Sequence, residues 1–230
     1  MKTWIVACSL ALSTLSAEAQ VAARKPFVHA IGQGVISVKP DQLRLTVSVV
    51  TLGDTASSAA DANATLTSTV ISKLKELLGA NPDLQTVSYS VTPNYKYPTG
   101  GGQPTITGFT ASNSIQATSA DLTIGGRLID AAVTAGATNV QGLQFGLKDN
   151  TSAVVQALRL ATLNARAHAD AIANGLGLRV GAIQVASEGS TTIPSPVAVD
   201  RLAAAAPTTP IETGTVQVTA TVTIEAELAQ

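Results

Sequence analysis

Residues 215–228 (TVQVTATVTIEAEL) alternate between apolar and polar side chains without a break. Val216, Val218, Ala220, Val222, Ile224 and Ala226 fall on one face. Gln217, Thr219, Thr221, Thr223, Glu225 and Glu227 fall on the other. Successive strand side chains point to opposite sides, so this segment is a strand with one buried and one wet face. The chain must therefore hold a sheet that is covered on one side.

The remaining elements follow from period and punctuation. Residues 27–38 read as a strand, Pro40-Asp41 as a turn, and Leu43-Leu45-Val47-Val49 as a second, half-buried strand. Asp54 or Thr55 can cap a helix whose apolar stripe is Ala59, Ala62, Leu66, Val70, Leu74 and Leu77, stopped by Gly79 and Asn81-Pro82. Strands at 84–97 and 106–118 form a long hairpin around Pro98-Thr99-Gly100-Gly101-Gly102-Gln103-Pro104. Asp121 opens a helix over 122–135, residues 140–147 form a strand, and Asp149 caps the longest helix, 151–173. A strand at 180–186 and a Pro/Ala/Thr-rich loop at 189–214 precede the closing strand. The order is ββαββαβαββ, and its βαββαβ middle matches the split-βαβ pattern of ferredoxin-like folds. We expect an α+β protein, a mostly antiparallel sheet with helices on one side, in a single domain over 20–230.

The first residues carry an address. Lys2, an apolar run from Trp4 to Leu15 and Ala17-Glu18-Ala19 have the layout of a secretory signal peptide cleaved after Ala19. The run is shorter than the ~20 residues of a spanning helix. Cys8 lies too close to the start to follow a lipoprotein leader. Cleavage would remove the one cysteine and the one tryptophan. The expected product is a periplasmic protein without a thiol or a transmembrane segment.

Most chemistries find no residues to carry them. The net charge of −1 supplies no footprint for nucleic acid. Charged residues are 13% of the chain, against about 25% in an average domain, and aromatics are 3%, so the core is aliphatic. His29 and His168 lie far apart without ligand spacing, so no metal site is expected. His168 sits near the edge of the long helix's apolar stripe (Val154, Leu158, Ala161, Ala165, Ile172) and reads as structural. No G-x-S-x-G elbow or phosphate loop is present. Gly32-Gln33-Gly34 runs into another extended segment, which points to a bulge or a close backbone contact. The acceptor patterns at Asn63 and Asn150 fall on or beside helices, where glycosylation is not expected.

Two surfaces exceed what a lone monomer needs. Tyr89, Val91, Pro93, Tyr95 and Tyr97 occupy odd positions of one strand, hence one face if the strand is regular. Tyrosine offers large contact area with a polar tip, which suits an interface. Covering a helix of the same subunit is the competing use of that face. On the long helix, Ala153, Leu160, Leu163, Ala167 and Ala171 form a second stripe opposite the core stripe.

Together these residues resemble the SIMPL-domain family of exported bacterial proteins, over 28–228. The likeness rests on Gly32-x-Gly34 before Pro40-Asp41, Thr55-Ala56 opening a helix, and Gly108-Phe109-Thr110-Ala111-Ser112-Asn113. Leu128-Ile129-Asp130, Ala135-Gly136-Ala137, the helix at 157–177 and the segment 210–222 with Gly214 complete it. The resemblance implies a periplasmic protein tied to the cell envelope or to oxidative-stress defence, in a family some of whose members form large homo-oligomers. It supplies no catalytic residue. The expectation is a non-enzymatic periplasmic protein that self-assembles, needs no cofactor, and has itself, envelope proteins or the outer-membrane surface as partners. A binder of a small molecule or envelope ligand, in a groove between sheet and helices, is the alternative. A hydrolase using one histidine ranks third.

Overall fold

The structure, a computed structural model, describes residues 25–193 and 211–230. The expected leader and most of the expected loop, 194–210, lie outside the described residues. The chain order is β1 (Phe27–Val38), β2 (Gln42–Gly53), α1 (Ala56–Leu78), β3 (Asp83–Lys96) and β4 (Thr105–Ser119). It continues with α2 (Gly125–Thr134), β5 (Asn139–Gly146), α3 (Thr151–Gly175), β6 (Arg179–Thr192) and β7 (Val216–Ala229). This is the α+β order read from the sequence.

The strands divide between two antiparallel sheets. One has the order β3-β4-β2-β5 and the other β1-β7-β6. The first is the βαββαβ portion, with β2 and β4 central and each helical crossover skipping one strand, as split βαβ units do. Leu43, Leu45, Val47 and Val49 of β2 and Ile115 and Ala117 of β4 pack there against Val70 and Leu74 of α1 and Leu128 of α2. The second sheet joins the chain's two ends, because every residue of β1 pairs with β7, from Phe27↔Glu227 to Val38↔Val216. Its core is Val28, Ala30, Val218, Ala220, Val222, Ile224 and Ala226 against α3. All six apolar residues of the β7 alternation are buried.

The helix starts are set by short side chains. Thr55 caps α1 with a reciprocal box: its hydroxyl accepts from the Ser58 amide, and the Ser58 hydroxyl accepts from the Thr55 amide. The helix expected at 122–135 begins as a 3-10 turn, Leu122–Ile124, and becomes α-helical only at Gly125. Asp121 caps that turn, accepting from the Thr123 hydroxyl (2.6 Å) and amide (2.9 Å). Asp149 accepts from the Thr151 amide at 2.8 Å.

Hydrogen bonds from Thr123, hydroxyl first and then amide, hold Asp121 below the usual 3.8. Those from Thr151 do the same for Asp149. A carboxylate depressed by folding stabilises fully above its unfolded pKa and loses that contribution as pH falls through the folded value. Asp121→Ala and Asp149→Ala should therefore lower the melting temperature at neutral pH. The deficit should close as the pH drops below about 3.8. A deficit unchanged at low pH would contradict the capping role.

One boundary and one buried stripe differ from expectation. β6 runs on to Thr192, four residues into the segment read as a loop. Ser187, Glu188, Thr191 and Thr192 lack apolar alternation, and their extended form comes from pairing with β7. On α1, the buried positions are Ala59, Asn63, Thr67, Val70 and Leu74, while Ala62 is exposed. Two polar side chains thus occupy core positions.

Candidate interaction surface

The long helix meets β1 backbone to backbone. Its buried residues are Ala153, Ala157, Ala161, Ala165, Ala169 and Ala173, one every fourth position. A Cβ on Gly32 would overlap the Ala161 carbonyl and the Ala165 amide, and one on Gly34 the Ala157 carbonyl. The Gly-x-Gly pair is therefore a close backbone approach. Two side chains lock it further: Asn164 Nδ2 donates to the Gln33 carbonyl and His168 Nδ1 to the Ile31 carbonyl, both at 2.7 Å. His168 is exposed rather than semi-buried, yet its bond to β1 is structural.

That stripe corrects the helical wheel. Each fourth-residue step advances about 40° around a helix, so the buried line winds by roughly 200° over its five steps. It follows a sheet that is itself twisted. Ala153, assigned to the second stripe, is accordingly in the core, and Ile172, assigned to the first, is exposed. Leu160 and Leu163 remain exposed at 41% and 57%, with Ala167 and Ala171 beside them. An ion pair between Arg166 and Asp170, at 3.2 Å, also lies on the helix surface.

The tyrosine strand is β3, an edge of the four-stranded sheet. Its pairing with β4 shifts twice. At the first shift the extra residue is Val87, on β3; at the second it is Thr107, on β4. From Ser88 onward β3 therefore keeps its alternation. Tyr89, Val91 and Pro93 lie opposite Asn113, Ala111 and Phe109, on the side of the sheet that carries α1, and Tyr95 continues that face. Tyr97 follows the end of the strand. The helix leaves this face partly open: Tyr89 and Tyr95 are about half exposed, while Val91 and Pro93 are half-buried. The hairpin's distal part, 94–108, projects past the last β2 pair, Gly53↔Phe109.

One cleft of about 320 Å³ opens where the two sheets meet. Arg44, Gln144, Lys148 and Asn150 line it, with Phe145, Ile193 and Val216 behind. Among the described residues no cluster of three His, Cys, Asp or Glu could hold a metal ion, and no helix is long and apolar enough to cross a membrane.

The profile of the family described as SIMPL, protein of unknown function (DUF541), matches residues 28–226. The chain belongs to the SIMPL family. The match begins at Val28 on β1 and ends at Ala226 on β7, so the SIMPL domain includes both sheets. SIMPL relatives include the 26 kDa periplasmic immunogenic protein of Brucella melitensis biotype 1 (strain ATCC 23456 / CCUG 17765 / NCTC 10094 / 16M). It is 30% identical over 195 residues, covering 83% of this chain and 78% of that protein. The protein of the same name in Brucella abortus (strain S19) matches with the same identity and coverage.

Proposed function

We propose that this SIMPL protein is a non-catalytic, exported protein of the periplasm that assembles with copies of itself. Relatives named as periplasmic proteins and the leader-like start of the sequence support the address. One observation carries the assembly: α3 exposes Leu160 and Leu163 beside small alanines, on a helix whose other side is fully used by the core. A leucine pair flanked by alanines allows a second element to approach closely. The tyrosine face of β3 is the second contact surface. Any part in oxidative-stress defence is indirect in this reading, because Cys8, within the leader, is the one cysteine.

Leu160→Asp should lower the oligomer size while leaving the melting temperature within a few degrees of the parent. An unchanged solution mass would remove α3 from the interface.

The cleft supports a second reading, a binder of small ligands. Its volume falls within the usual range for such sites, and it sits between two structural layers. A ligand held there would raise the melting temperature in proportion to its concentration over its Kd. A screen of envelope fragments that produces no shift would remove this reading.

A further inference from the structure

Among the described residues there are four sheet edges, and three of them are protected against pairing. The β1 edge is closed by Asn164 and His168, which occupy the Gln33 and Ile31 carbonyls. β6 changes register with β7 at three places, so its edge is irregular. β5 is eight residues long, contains Gly142 and shifts register against β2. Irregularity, shortness and covered carbonyls are the ways proteins blunt an edge. β3 spans 14 residues, carries one bulge of its own, at Val87, and one residue without an N–H, Pro93, and has no charge between its first residue, Asp83, and its last, Lys96.

We propose that β3 pairs antiparallel with β3 of a second copy, about a two-fold axis at Ser90. This rests on the self-assembly proposed above and specifies one of its two contacts, the one at β3. With Ser90 opposite Ser90 of the second copy, Tyr89 meets Val91 and Ser88 meets Thr92. The Val87 bulge then absorbs one residue, as it does against β4. Beyond it Thr86 meets Pro93, Gln85 meets Asn94, Leu84 meets Tyr95, and Asp83 meets Lys96.

Same-face pairing holds for any register centred on a residue, and the charges select this one. Every pair joins side chains of the same face: Leu84, Thr86, Tyr89, Val91, Pro93 and Tyr95 on the α1 side, the others on the opposite side. Shifting the pairing by one residue would break that match. The strand's only two charges are opposite in sign, and the symmetry brings them together twice, once at each end. Pairs of an aromatic with a β-branched or aliphatic residue are favourable across strands, and so are opposite charges.

The test uses the full chain in a Cys8→Ser background. Directly opposite residues of antiparallel strands have Cα atoms about 4.5 or 5.5 Å apart, within disulfide reach. Ser90 is exposed, so Ser90→Cys should fold normally and give a covalent dimer on mild oxidation. Lys96→Asp should weaken dimerisation about three- to tenfold, and adding Asp83→Lys should restore it. If the parent chain is oligomeric but Ser90→Cys stays unlinked and Lys96→Asp changes nothing, edge pairing is overturned and self-assembly stands. If the parent chain is monomeric at every concentration, both fall.

Discussion

A Gly34→Val chain is expected to lose more than about 3 kcal/mol of stability, and Gly32→Val at least as much. Valine is ordinarily the better strand residue, so strand propensity alone predicts the opposite sign. Contact geometry decides it. The nearest groups that the new Cβ would strike are the Ala157 and Ala161 carbonyls and the Ala161 and Ala165 amides, all helix backbone. Backbone within a hydrogen-bonded helix cannot rotate aside as a side chain can. Relief requires α3 to move off β1, which would open the packing against Val28, Ala30 and β7 and break the bonds from Asn164 and His168. Equilibrium denaturation of the two variants reads the loss directly. A valine variant as stable as the parent would mean that α3 does not lie on β1 as described.

The second large effect concerns Asn63, which is fully buried. Its Nδ2 donates to the Val49 carbonyl at 2.8 Å and the Ala111 carbonyl at 3.2 Å, and its Oδ1 accepts from the Thr67 hydroxyl at 3.2 Å. One amide thus ties α1 to both central strands of its sheet. Asn63→Leu keeps the branching of the side chain, with bulkier ends, but withdraws a donor from two carbonyls and an acceptor from a buried hydroxyl. We expect a loss of about 2–4 kcal/mol, since each buried polar group left unpaired costs about 1–3. Replacing Asn63 and Thr67 together by apolar residues should cost less than the two single changes added, because Thr67 no longer loses its acceptor. Strict additivity would show that the hydrogen bond between them contributes little. Burial also explains why the Asn63-Ala64-Thr65 pattern cannot accept a glycan in the folded chain.

These two sites mark where the sequence was legible and where it was not. The Gly-x-Gly pair announced a close contact because glycine inside a strand has few other uses, although nothing local named α3 as the partner. Thr55 and Asp121 were readable as caps because capping needs only a short acceptor and the next few amides; Asp149 binds the Thr151 amide from one position before the N-cap, Asn150. The β7 alternation gave every buried residue of that strand. Alternation carries no record of which strand lies alongside, however, so the division into two sheets and the pairing of β1 with β7 were not readable. Asn63 and Thr67 were passed over because apolar periodicity assigns polar residues to solvent. On α3, alanine occurs on both the buried line and the exposed face, so a straight wheel misplaced Ala153 and Ile172. Residues 189–192 read as loop because their extended form is imposed by β7. The tyrosine face of β3 was visible at period two, while the place of β3 at the edge of its sheet is visible only in the strand order.

The central claim is that this SIMPL protein works as an assembly of identical chains. Its most direct test is the mass in solution of the chain from Gln20 onward, by size-exclusion chromatography with light scattering at two protein concentrations. The account predicts a species of several chains, reduced in size by Leu160→Asp. A single-chain mass at both concentrations would contradict it.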